Sequence, residues 1–497
     1  MANGGIIGKV NNPTSTTATG VWQQEEQYEA RVTDTWPEKP LFTTKSLRFN
    51  GPSSDTLTRT FGSSGNKKTF TLSAWYKRSE VGVEHRIFST HNTGSPAGYA
   101  SLHFHTSDDL IVFNYNGSSS YQQFRTDRKF RDVSAWYHIV LAYDTTQGTD
   151  TNRAKLYVNG VQETSFSTAT YPSQNADLYF NDNVIHYISG GDTANGSNPY
   201  SGYMSEVIFV DGQQLTPTSF GVANSDGVWT PIPYTGTFGT NGFNLQFENA
   251  AALGTDSSPN GNTFTVNNLT SIDQTTDTPT NNFCTMNALD NYYAASTFSE
   301  GNLKFISQAS GYQYNTATFG LSQGKWYFEV KLIAAYNNDE VNIGIAGRTT
   351  ESSTGYLGLY NDTYGMYGDN GNIYNGGSSS SYGVAYAVGD IIGVYMDLDN
   401  NKLYYAKNGT IMNSGTGKDI TAATSTTTGF YFPALGDYFG GQTATFEVNF
   451  GNPTFTGTDQ ADVNSRGSFE YSPSAGTFDG VSKDFLSLCT ANLAEFG

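Results

Sequence analysis

The sequence predicts an all-β chain: two antiparallel β-sandwich (jelly-roll) domains with an extended N-terminal arm and a loop-rich connector. Three observations predict it. A Lys-Leu-Tyr strand running into Asn-Gly occurs twice, in residues 155–160 and 402–409, and Asn-Gly tolerates the positive φ angles of a type I′ turn, so each copy closes a tight hairpin. Each copy also follows an aromatic strand, residues 135–141 in the first half and 325–331 in the second. Finally, 54 Gly, 33 Tyr and 32 Phe against 14% charged residues describe short strands separated by turns, with aromatic rings supplying the buried area.

At 497 residues the chain exceeds a single sandwich, so more than one domain is expected. Its formal charge of -19 and pI near 4.6 repel a phosphate backbone, which excludes nucleic acid as a partner and suits a soluble particle surface. Cys284 and Cys489 lie far apart without metal-ligand spacing, so they read as structural thiols. The N-terminus has too brief an apolar run for a secretory signal, and no stretch is long enough to span a membrane. Synthesis in the cytoplasm without membrane insertion is the expectation.

Residues 1–40 are polar around Trp22 and Trp36 and cannot build a core of their own. They read as an anchoring arm. At ~25 cal/mol per Å² and roughly 150–250 Å² per ring, two indoles docked on a partner contribute on the order of 8–12 kcal/mol before ordering costs. Residues 41–222 form the first sandwich, with strands at 70–76, 102–104, 110–115, 136–143, 155–158 and 202–210. Residues 223–297, interrupted by Pro231, Pro233, Pro259 and Pro279, read as an ordered, loop-rich connector in which 242–247 alternates like a strand. The second sandwich spans 298–452, and residues 453–497 form a tail that packs back on it as a strand or short helix.

In order, Ser46-Leu47-Arg48-Phe49-Asn50-Gly51, the strands at 70–76 and 136–140, Leu156-Tyr157-Val158-Asn159-Gly160 and the strand at 202–207 resemble the laminin-G-like (concanavalin A-like lectin/glucanase) superfamily. That resemblance implies a curved two-sheet jelly roll binding glycans or proteins at its loop rim. The series Gly389-Asp390-Ile391-Ile392-Gly393-Val394, Asp397-Leu398-Asp399 and Asn408-Gly409, after 325–330 and before 432–435 and 447–451, resembles the SPRY domain. It implies a β-sandwich that binds protein partners through variable loops, with no catalytic residues to carry over. The N-terminal stretch 1–8, with Gly20-Val21-Trp22, Gln27-Tyr28 and Trp36-Pro37, resembles the opening of virion structural proteins of tailed, notably marine, bacteriophages. Together these imply a non-enzymatic virion protein on the tail or particle surface: a tail fibre or appendage, as a homo-oligomer, docked on other virion proteins by its arm and presenting its sandwiches to a host-surface glycan or protein. The alternatives are a capsid-decorating protein, a glycan-degrading appendage and a secreted adhesin unrelated to phage.

Glycoside hydrolysis needs two carboxylates across a sugar, and the Glu-x-Asp-x-x-Glu strand motif is absent; Glu206, followed by Asp211, has no second carboxylate two positions away on its face. No Gly-x-Ser-x-Gly elbow is present, and the six histidines are scattered. His103 and His105, near Asp108 and Asp109, have the i, i+2 spacing of a strand-borne metal site, although histidines in a turn-proximal strand are more often plain surface residues. Calcium, which laminin-G-like rims often hold through loop oxygens, has Asp182, Asp192 and Asp211 as candidate ligands. Tyr356, Tyr360, Tyr364, Tyr367 and Tyr374 interleave with Gly, Asn and Asp as binding loops do, and are the candidate ligand-contact residues; core packing is the competing reading.

Overall fold

Both Asn-Gly turns take the left-handed conformation the sequence requires, with φ of 48° and 81° at Asn159-Gly160 and 48° and 77° at Asn408-Gly409. Each asparagine does more than turn the chain. The Asn159 side-chain oxygen accepts from His138 N–H at 2.7 Å while its own N–H donates to His138 O at 2.8 Å. Asn408 does the same to Ile391, at 2.9 and 2.8 Å. The hairpin tip is thereby tied to the neighbouring strand in both sandwiches.

The computed structural model describes residues 43–92, 98–115, 121–191, 198–224, 227–291, 293–308, 311–335, 341–352, 354–437, 443–455, 457, 459–474 and 476–497. Thr43–Gly497 is one compact unit. It is nearly all β: among the described residues one short α-helix, Thr490–Phe496, follows a series of antiparallel strands in open sheets. No helix there is long and apolar enough to cross a membrane.

One sheet of the first sandwich runs Val161–Gln162, Ala154–Val158, Tyr137–Asp144, Thr69–Arg78, Gly202–Asp211, Ser46–Phe49 and Gln274–Thr275, with Phe243–Leu245 also on Gly202–Asp211. The other runs Phe166–Thr170, Tyr121–Thr126, Leu110–Tyr115, Gly98–Phe104, His85–Asn92, Ile185–Ile188, Thr56–Thr60 and Thr265–Asn267. Segment 223–297 therefore closes this sandwich: it adds strands to both sheets and puts Phe243, Leu245, Phe247, Leu253, Phe264 and Leu269 into the core. Strand Gly202–Asp211 changes partner midway. Ser46–Phe49 pairs with its first residues, Phe243–Leu245 with Val207–Phe209, and the bulge between them leaves Glu206 at φ 49°.

In the second sandwich, Thr297–Ser299, Lys304–Ile306, Thr445–Asn449, Lys325–Ala334, Ile391–Asp397, Lys402–Lys407 and Thr410–Ile411 form one sheet, joined by Lys418–Asp419. Gln313–Thr316, Phe432–Asp437, Val341–Ala346, Thr363–Tyr367, Ile373–Asn375 and Ser378–Ser380 form the other. The tail folds over the first of these sheets. Phe469, Phe478 and Phe485 pack on Tyr327, Tyr395 and Tyr404, and buried Glu329 accepts the backbone N–H groups of Glu470 and Tyr471 at 2.9 and 2.8 Å.

The sandwiches are fused directly. Lys77 Nζ, buried, donates to Asp277 at 2.7 Å, Asn282 at 2.7 Å and Phe283 O at 2.8 Å, and lies over the Tyr203 ring. Tyr203 OH reaches Gly301 O at 2.9 Å, and Asn302 Nδ2 reaches Ser79 O at 2.8 Å. A buried ion pair so fully hydrogen-bonded fixes one geometry more than it adds stability.

Candidate functional site

The tyrosine-rich segment lies on the six-stranded sheet of the second sandwich. Residues 347–362 link Val341–Ala346 to Thr363–Tyr367 and fold back over the outer face of that sheet. The fold-back is pinned by Leu357, fully buried among Tyr314, Ala346 and Ala434. Gly358, at φ 102°, allows it: a Cβ there would stand 2.5 Å from Tyr374 Cβ, so only glycine lets the loop lie this close to the sheet. Under the loop, the amide of buried Asn342 finds no hydrogen-bond partner among the described residues.

Tyr356, Tyr374 and Tyr367, all half-buried, form a continuous ribbon that begins at exposed Tyr312. Ring centroids are 6.4 Å apart for Tyr312–Tyr356 and Tyr356–Tyr374, both edge-on, and 5.2 Å for Tyr367–Tyr374. Edge-to-face contacts at this range hold the rings in fixed orientations. Sequence reasoning missed Tyr312, because its place in the ribbon depends on the fold-back of 347–362. Tyr364 departs from the expectation. It points into the core with Met366, and its OH accepts Thr421 N–H at 2.9 Å, so it is a packing residue. Strand alternation in Thr363–Tyr367 carried that signal: Tyr364 and Tyr367 are an odd number of residues apart and must face opposite sides.

Tyr360 stands apart from the ribbon. The Arg348 guanidinium lies 4.2 Å over its ring and grips Asp362 with two nitrogens at 2.7 and 3.2 Å. Beside them opens a groove of about 460 Å³, with Thr421 and residues 425–427 on its far wall.

The remaining candidates have structural employment. Asp182 accepts Lys67 Nζ and Ser64 Oγ, both at 2.6 Å. Asp211 accepts Asn66 N–H at 2.8 Å, Asn181 Nδ2 at 2.6 Å and Asn241 N–H at 3.1 Å. Donors from the protein thus occupy the oxygens a calcium ion would need, and no group of three His, Cys, Asp or Glu side chains among the described residues could hold a metal. Asp192, Trp22 and Trp36 lie outside the described residues. His103 is buried, and desolvation beside Arg86 drives its pKa down to about 3, whereas His105 contacts Arg125 at 3.1 Å; the carboxylate beside them, Asp109, is already engaged by Arg125 at 2.5 Å and Lys129 at 3.2 Å.

Two arrangements resemble catalytic groups and fail as such. Ser73 Oγ lies 2.8 Å from His138 Nε2, but Trp229 Nε1–H donates to His138 Nδ1 at 2.9 Å. Nε2 therefore carries the ring proton and cannot take one from the serine. Glu206 sits buried at the strand bulge, and desolvation raises its pKa to about 8. Glu206 is not among the residues lining the groove beside Tyr360.

Comparison with known proteins agrees with this geometry. Residues 52–219 match the concanavalin A-like lectin/glucanases superfamily and residues 325–453 match the SPRY domain. A Ran-binding proteins 9/10 homolog of Drosophila melanogaster is 30% identical over 119 residues, 22% of this chain and 12% of that protein, so the chain matches only about an eighth of its relative's length. The crystal structure of the SPRY domain of human HERC1 is similar over 29% of this chain and 87% of that one, at 15% identity and a TM-score of 0.25. A heptameric SAP-like pentraxin from Limulus polyphemus is similar over 36% and 80%, at 16% identity and a TM-score of 0.27. The chain carries a laminin-G-like, concanavalin A-like domain followed by a SPRY domain, two β-sandwiches in one polypeptide.

Proposed function

We propose that the protein is a non-catalytic recognition protein of a tailed-phage particle, a tail fibre or tail appendage that mounts through residues 1–40 and presents the tyrosine ribbon of its SPRY domain to a host-surface glycan or protein. The observation that carries the recognition role is the ribbon itself: four tyrosines in mutual contact, held by a loop nailed to the sheet through Leu357. Rigid aromatic faces gain contact area at little entropic cost on binding. The particle setting rests on the resemblance of the N-terminal segment, with a homo-oligomer on the virion surface as the assembled form. A capsid-decorating position is the nearest variant. The match to Ran-binding relatives favours a second reading, a binding protein with no connection to phage.

Two experiments test the proposal. Tyr356→Ala with Tyr374→Ala lowers adsorption to host cells while the melting temperature holds; unchanged adsorption overturns the ribbon as the contact. A chain beginning at Leu41 stays folded but fails to mount on particles, and full occupancy by that truncation removes the arm. Sustained release of reducing ends from host polysaccharide, abolished by Glu206→Gln, would make the protein an enzyme instead.

A further inference from the structure

We propose that the groove beside Tyr360 is a subsite for a neutral saccharide; this rests on the recognition role above and names the ligand class for one part of that surface. At about 460 Å³ the groove falls within the range of small-molecule sites. Its two charged lining residues cancel. Arg348 is spent on Asp362 at 2.7 and 3.2 Å, on Glu351 at 3.1 Å and on the face of Tyr360. Asp362 in turn accepts Thr427 N–H at 3.0 Å and Thr427 Oγ1 at 2.7 Å. Burial would raise the Asp362 pKa, but the hydrogen bonds from Arg348 and Thr427 outweigh it and hold the carboxyl below its usual range, so the pair stays ionised at neutral pH. No cation is left over among the lining residues for a phosphate, sulfate or carboxylate group.

An apolar ligand fits no better, since Leu359 and the Tyr360 ring are the lining's only large apolar surfaces. The lining does have unspent hydrogen-bonding groups. The Asn361 amide and the Ser425 hydroxyl come from separate walls, are exposed, and make no side-chain hydrogen bond among the described residues. Each can both donate and accept, which is the requirement of a ligand whose hydroxyls do the same. The walls are also preset. Gly347 N–H donates to Asp362 O at 2.7 Å and Thr428 N–H to Gly347 O at 3.0 Å, so the loops carrying Asn361 and Ser425 are already joined and little ordering remains to be done on binding.

The test titrates the full chain by calorimetry with maltose, cellobiose, lactose and di-N-acetylchitobiose, and with sialyllactose as the acidic counterpart. Ligand at about 10 mM reveals even a Kd near 1 mM. At least one neutral disaccharide binds, and the double variant Asn361→Ala, Ser425→Ala weakens it about tenfold or more with an unchanged melting temperature, both side chains being exposed. The proposal is overturned by binding of sialyllactose alone, by no binding of any sugar, or by neutral binding that the double variant leaves intact. If Tyr374→Ala abolishes sugar binding and the double variant does not, the groove is overturned while the ribbon stands as the recognition surface. If sugar binding survives the Asn361→Ala, Ser425→Ala variant and cell adsorption survives Tyr356→Ala with Tyr374→Ala, both readings fall.

Discussion

Both sandwiches cover the outer face of one sheet with chain that follows the family domain, but they do so with opposite chemistry. In the first, Phe220, Tyr234 and Phe238 close over Tyr157, Ile208 and Val210, and His138 is stacked between Trp75 and Trp229. In the second, Phe469, Phe478 and Phe485 close over Tyr327, Tyr395 and Tyr404 around the Glu329 carboxyl. Both covers begin where the family matches end, at residues 219 and 453. Beside its tyrosines, the first encloses the base His138, whose pKa burial drives down to about 3, and the second the acid Glu329, whose pKa burial drives up to about 7. Burial favours the neutral form in both cases, so the covers weaken in opposite directions of pH.

The harshest way to break the comparison is to empty one cover. Phe478→Ala removes a fully buried ring from the second cover and should cost about 3–5 kcal/mol in denaturant unfolding. Backbone hydrogen exchange should rise first in residues 459–489 and leave the first cover unchanged; equal loosening of both covers would show that they are not separate units.

The acid is the next test. Unfolded Glu329 ionises near pH 4.5, whereas the folded group holds its proton to about pH 7, so its contribution is complete below pH 4.5 and is lost as pH rises through 7. At about 1.4 kcal/mol per unit, the wild type should lose roughly 2–3 kcal/mol between pH 5 and 7 that Glu329→Gln does not. Four donors, including Tyr327 OH at 2.9 Å and Asn449 Nδ2 at 3.1 Å, work against that loss, so a flat difference would mean that they balance burial.

His138 should behave in the opposite sense and more weakly. Unfolded histidine takes up a proton near pH 6.5, while the folded ring stays neutral to about pH 3, so stability falls as pH falls below 6.5. The loss should reach about 2 kcal/mol at pH 5 and be absent from His138→Phe, which keeps the stack without the titration. The smallest stability effect is expected at Tyr374→Ala, within about 1 kcal/mol, because the half-buried ring lies on the surface ribbon. A loss as large as that of Phe478→Ala would move the ribbon from the binding surface to the core.

Local chemistry made much of the fold legible. The Asn-Gly turns, the aromatic strands that precede them and the order of motifs all depend on residues close in sequence, and the strands formed where their alternation placed them. The second cover was legible in outline, as a tail that packs back on its sandwich, but the partners in both covers were hidden, because nothing local tells Phe478 that Tyr395 and Tyr404 await it, or Trp229 that His138 does. Segment 223–297 read as a bridge for the same reason: its strands are only two or three residues long and acquire meaning by pairing with Thr56–Thr60, Ser46–Phe49 and Gly202–Asp211. At the candidate site the aromatic residue types were visible, while the division of labour was not. Tyr364 could have been separated by strand alternation, but the link from Arg348 to Tyr360 and Asp362 spans a loop whose path only the fold defines.

The direct fusion of the sandwiches through Tyr203 with Gly301 and Ser79 with Asn302 gives the molecule the properties of a caliper. With a slack linker, a second contact forms over a range of spacings and gains only the effective concentration that the tether permits. Here any two contact points, one on each sandwich, are held at a single separation and angle. A surface whose features repeat at that interval is gripped at both points with little further entropic cost, and one with the same features at another interval is gripped at one point alone. Selectivity of that kind is written in distance.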